Sequence, residues 1–177
     1  MEHTTTRVNV TVKKNLRRPK DAYKSRVYAW ENATRFNIPE NKQLSFDECV
    51  SLVNKVWKDH FPHVPVPSVA VSRGRTSYGS SHRITLSQNH GMNSWIVLHE
   101  ACHSLTHFHS FRPKIGPCLA HGAEFLRLLI NLVSRYLHVP AGPLRASARA
   151  ARLPVAPNSS VPQRRTNKNR GKMTLVA

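Results

Sequence analysis

His99, Glu100 and His103 fall within five residues of one another, inside the apolar run WIVLHEACHSLTH that follows Asn93 and Ser94. The run predicts a largely buried helix beginning near Asn93 or Ser94, either of which can cap it. Two imidazoles and a carboxylate on such a helix are costly to desolvate unless a metal or another partner satisfies them. Residues four apart project from one helical face, so His99 and His103 can share one metal ion. Glu100 lies beside them, within reach of a water bound to that ion. At the His and Glu frequencies of this chain, the pattern H-E-x-x-H arises by chance in roughly 2% of comparable sequences.

A second element must then bring a third ligand over the His99/His103 face, because catalytic zinc takes three protein ligands and keeps one position open. His107 continues around the same helix, which leaves His109, His121 and Glu124. His121 is the preferred ligand, since it opens the next helix after the segment FHSFRPKIGPC, where a chain reversal can return it over His99 and His103. Glu124 is read as a partner of a ligating imidazole or as a charge at a helix start. The expected cofactor is Zn2+, one ion, with Glu100 as the catalytic base. A structural zinc site using Cys102, Cys118 and His121 is the competing arrangement, but it lacks the usual paired C-x-x-C spacing.

Around this segment the pattern predicts an α+β domain. DAYKSRVYAWENATRF reads as a helix with Tyr23, Val27 and Trp30 on one stripe. Ser45 and Glu48 form a capping box ahead of Cys49, Leu52, Val53 and Val56. Ser68–Arg73 and Arg83–Ser87 read as antiparallel neighbouring strands joined by the turn GRTSYGSS. AHGAEFLRLLINLVSRYL is a fourth helix stopped by Pro140, and PLRASARAARL a short fifth. Trp30, Trp57, Trp95, Cys49 and Cys102 are expected in the core, and His60, His63, His90 and His138 at the surface or in loops. The expected organisation is a basic arm or short strand over 1–20, with Val8, Val10 and Val12 alternating, a metallohydrolase domain over 21–153, and a basic flexible tail over 154–177.

Charge adds an address. The chain has 27 Lys+Arg against 9 Asp+Glu, a formal charge of +18, which favours a polyanionic partner. Arg7, Lys13, Lys14, Arg17, Arg18 and Lys20 cluster before the domain, and Arg164, Arg165, Lys168, Arg170 and Lys172 after it. Neither cluster contains an aromatic residue to stack a base, so nucleic-acid contacts there are expected to be nonspecific, backbone-directed and salt-sensitive. Three scattered cysteines make no disulfide framework, no apolar run is long enough to span a membrane, and Met1–Lys20 lacks the apolar core of a signal peptide. A reducing, cytoplasmic setting is expected.

HEACHSLTH followed by AHGAEF resembles the active-site signature of the SprT-like zincin metallopeptidases. With DAYKSRVYAWE and the strand pair upstream, the chain is also similar, over about residues 21 to 140, to small metallohydrolases of bacteria and their phages. The resemblance implies a minimal zincin fold and peptide-bond hydrolysis, with His99, His103 and His121 as ligands and Glu100 as general base. The sequence departs from the pattern in carrying His107 and His109 between the ligands and no Cys-pair zinc ribbon after His121. The DNA-repair role of some members is therefore not carried over. Tyr78, His82 and Arg83 are available to polarise a substrate carbonyl, and an extended peptide is expected alongside Arg83–Ser87. A second reading is a basic nucleic-acid-binding protein whose zinc site is structural or vestigial.

Overall fold

The computed structural model describes residues 21–60, 62, 63, 65–110 and 120–157. The predicted strand around Val8, Val10 and Val12, the loop residue Cys118 and the basic cluster from Arg164 lie outside these residues, as do the side chains of His107 and His109. Five helices and three strands are described: α1 Lys24–Arg35, α2 Phe46–His60, β1 Ser68–Ser72, β2 Tyr78–Gly79, β3 Arg83–Ser87, α3 Ser94–Ser110, α4 Ala123–Tyr136 and α5 Ala141–Ala150. The architecture is α+β, with a small mixed sheet.

The sheet runs in the order β1-β3-β2. β1 and β3 pair in parallel from Ser68 opposite Arg83 to Ser72 opposite Ser87, which corrects the antiparallel pairing expected from sequence. GRTSYGSS is too long and too structured to be a hairpin turn. It carries the chain past β3 and lays down β2 on the far side, where Tyr78 and Gly79 pair antiparallel with Thr85 and Ile84. The reversal into β3 is closed at Ser80, whose N–H donates to Arg83 O at 2.8 Å while the Arg83 N–H donates to Ser80 Oγ at 3.2 Å. β3 is therefore the central strand, which explains why Ile84, Thr85, Leu86 and Ser87 are all buried.

The helices follow the expected stripes. In α2 the capping box forms as predicted, with the Glu48 N–H donating to Ser45 Oγ at 3.2 Å and the Ser45 N–H donating to Glu48 Oε2 at 2.8 Å. Cys49, Val53, Val56 and Trp57 face inward from it. Asn93 caps α3 by accepting from the Ile96 N–H at 3.0 Å, and Asn41 Oδ1 accepts from the Trp95 N–H at 3.0 Å, which ties the loop after α1 to the start of α3. α3 packs on α4, β2 and β3, burying Leu98, Ala101, Cys102 and Leu105 with Phe125, Leu126 and Leu129. α4 stops at Tyr136, before Pro140, and His138 takes a left-handed backbone at φ 52°. Beyond α5, Leu153 is buried and the Ala156 N–H donates to Ala123 O at 3.1 Å, so packed chain extends past the predicted boundary at Pro154. No helix among the described residues is long and apolar enough to cross a membrane.

Candidate metal centre

α3 places His99 and His103 one turn apart with their Nε2 atoms 3.0 Å from each other. His121, in the turn before α4, folds back over the same face. Its ring centroid lies 5.4 Å from that of His99 and 4.8 Å from that of His103, and Phe125 packs against all three rings. One nitrogen from each imidazole lies within 4.8 Å of the others, and no other described residues form such a group. His99 is 2% exposed, His121 3% and Glu100 5%, so this is an interior site and not a surface tract.

The outer ring nitrogens decide which atoms face inward. His99 Nδ1 is 2.7 Å from Glu31 Oε1, and His121 Nδ1 is 2.5 Å from Asp21 Oδ2. A carboxylate only accepts, so each Nδ1 carries the proton and each Nε2 presents a lone pair to the centre. Two ring nitrogens 3.0 Å apart need a proton or a cation between them, and His121 Nε2 is buried with no hydrogen-bond partner. That donor set fits a metal ion: two of its three imidazoles are buried and oriented by carboxylates, as metal-binding histidines usually are. The three histidines can hold a metal ion.

Burial depresses the His121 pKa, and the Asp21 hydrogen bond only partly offsets it, which favours the neutral imidazole. Burial also opposes charge on His99, but the Glu31 carboxylate outweighs it and the pKa rises. Glu100 is pushed up to about 7 by desolvation, with His99 pulling the other way. Its Oε2 is buried and unpartnered, and the Gly79 backbone beside the carboxylate only partly offsets the rise.

Three residues that complete the site were not singled out from sequence: Asp21, Tyr28 and Glu31. Glu31 Oε1 also accepts from Trp95 Nε1–H at 2.9 Å, so a single buried carboxylate fixes a core indole and a site imidazole. Its signal was present, because Glu31 follows Val27 by four residues and so puts a carboxylate on the buried stripe of α1. The Tyr28 ring lies tilted at 5.7 Å from His99 and edge-on at 5.2 Å from His121. Burial and the neighbouring Glu100, Glu31 and Asp21 raise its phenol pKa to about 12, so it stays a donor.

β2 meets α3 at Gly79. A methyl group there would collide with the backbone carbonyl of Glu100 and come within 3.2 Å of His103 Cβ. Gly79→Ala is therefore expected to displace β2 or α3, destabilising the protein by about 1–3 kcal/mol, with weakened metal binding. Denaturant unfolding and metal titration of the variant check both effects.

Other predicted site residues fall elsewhere. Glu124 is in the first turn of α4, where its Oε2 accepts from Arg127 at 2.7 and 2.9 Å, which makes it a helix-start charge and not part of the cluster. The Cys102 thiol donates to Phe125 O at 3.4 Å and is not in the cluster. Tyr78, His82 and Arg83 are exposed. β3 has a neighbour on each side, so the expected peptide track alongside Arg83–Ser87 is occupied. The free edge nearest α3 belongs to β2.

No protein-family model, curated protein or solved structure matches the chain.

Proposed function

We propose that the chain is a zinc-dependent metallopeptidase with a minimal zincin-like site of the SprT-like kind, in which His99, His103 and His121 hold one zinc ion and Glu100 is the general base. The observation that carries this reading is the convergence of three imidazoles, those of His99 and His121 buried and that of His103 half-buried, with the unpartnered Glu100 Oε2 beside them. Tetrahedral zinc places its nitrogen ligands about 3.3 Å apart, near the 3.0 Å between the His99 and His103 nitrogens, and the His121 nitrogen lies within 4.8 Å of both. When bound, zinc supplies Lewis acidity and an open position at which the pKa of a water falls toward neutrality.

The chain's own groups supply the remaining chemistry. Glu31 and Asp21 hold the His99 and His121 rings in their ligating orientation. Glu100 accepts the proton of the attacking water and passes it to the leaving amine. Tyr28, protonated throughout the neutral range and in contact with His99 and His121, would donate to the carbonyl oxygen of the substrate in place of Tyr78, His82 and Arg83. An extended peptide can add to the free edge of β2, where backbone hydrogen bonds tolerate varied sequence.

A purely structural metal site has no use for a buried, unpartnered carboxylate next to its ligands, which favours the hydrolytic reading over a nucleic-acid-binding protein with a structural zinc. The charge of +18 then directs where the enzyme works, on or near nucleic acid in a reducing compartment. The test is cleavage of a mixed peptide pool followed by mass spectrometry. Activity is expected to disappear on treatment with a zinc chelator and to return with added zinc, and cleavage that persists through chelation would contradict the proposal.

A further inference from the structure

A hollow of about 300 Å3 adjoins the metal centre, bounded by α1, the β1–β2 loop, the turn after β3 and the start of α3, and both His99 and Glu100 line it. Arg35, Arg75 and His90 line it too. Arg35 stands one turn beyond Glu31 on α1, and its Nε is buried without a hydrogen-bond partner. Among the described residues, no carboxylate forms an ion pair with Arg35 or Arg75. The Arg35 charge nevertheless reaches the centre, where it opposes protonation of His99. Ser87, 1% exposed, adds a buried hydroxyl with no partner, while its backbone N–H is held by Ser77 Oγ at 2.9 Å.

The wall thus offers two guanidinium groups, an imidazole and a hydroxyl. The Glu31 carboxylate in the same wall is already engaged by His99 and Trp95. Leaving a buried guanidinium N–H unpaired is costly, and a planar carboxylate satisfies it with charge-assisted hydrogen bonds. We propose that this hollow is a specificity pocket for an Asp or Glu side chain of the substrate, next to the bond to be cut. The assignment rests on the metallopeptidase reading for its place in the reaction, but the pocket itself can be tested by binding alone.

Two arms separate the pocket from the chemistry. In the first, zinc-loaded protein is given peptides capped at both ends, identical except for Glu or Gln at one position, and cleavage is followed by mass spectrometry. The Glu peptide is expected to be cut about tenfold faster, the scale of one charge-assisted hydrogen bond. The ratio should fall toward unity in Arg35→Ala and recover in part in Arg35→Lys, which restores the charge but not the planar fork. In the second arm, Glu100→Gln protein is titrated with the same two peptides, fluorescently labelled, by anisotropy. Tighter binding of the Glu peptide, again about tenfold, and lost in Arg35→Ala, supports the pocket even if no peptide is cut, an outcome that overturns only the peptidase reading. Equal binding of the two peptides, or a preference that survives Arg35→Ala, overturns the pocket.

Discussion

Glu100→Gln is expected to lower peptide cleavage by roughly 10²–10⁴-fold, the usual contribution of a positioned general base, while the zinc content of the protein stays unchanged. The amide is close in size to the carboxylate, and Gly79 meets the Glu100 backbone, so the contact between β2 and α3 survives the substitution. What it loses is the ability to take up a proton. The buried, unpartnered Oε2 is the atom at issue, because no fold-stabilising hydrogen bond explains its position. Cleavage kinetics and metal analysis on the same preparation check the outcome. Loss of zinc together with activity would show that Glu100 maintains the site and does not act in the reaction.

Glu31→Ala is expected to be the most damaging single change to stability. Its carboxylate is 3% exposed and accepts from both His99 Nδ1–H and Trp95 Nε1–H, so the truncation strands two buried donors at once. Breaking a buried pair of this kind costs about 3–5 kcal/mol. Freeing His99 to rotate should also weaken zinc binding by about 10–100-fold, as loss of an orienting partner does elsewhere. Glu31→Gln retains an acceptor oxygen and should lie between the wild type and Glu31→Ala in both respects, which keeps the test informative if the alanine variant does not fold. Denaturant unfolding followed through tryptophan fluorescence, with competitive zinc titration, reads the two effects separately. Wild-type stability in Glu31→Ala would contradict the role assigned to this carboxylate.

Much of the candidate site could be read from sequence, because four-residue spacing on a helix fixes geometry without tertiary information. His99 and His103 are of this kind. His121 required a guess at a chain reversal, and the fold brings it to the face where it was expected. Asp21 and Glu31 were harder, since their partners lie 100 and 68 residues away along the chain. A carboxylate on an apolar stripe signals a buried partner but does not say which. The helices were legible from their stripes and caps, whereas the strand pairing was not. Local alternation distinguishes a strand from a helix but is silent on direction, and the two residues of β2 are too few to show any period. That short strand reverses the pairing of β1 with β3 and moves the open edge of the sheet next to α3.

The central claim is that three imidazoles hold one zinc ion, and the zinc content of dialysed wild-type and His121→Ala protein, measured on samples shown to be folded, tests it most directly. About one tightly bound zinc per wild-type chain, absent from His121→Ala, is the predicted result. A wild-type protein that emerges without zinc after exposure to the metal, or a His121→Ala variant that retains it as tightly, would contradict the claim.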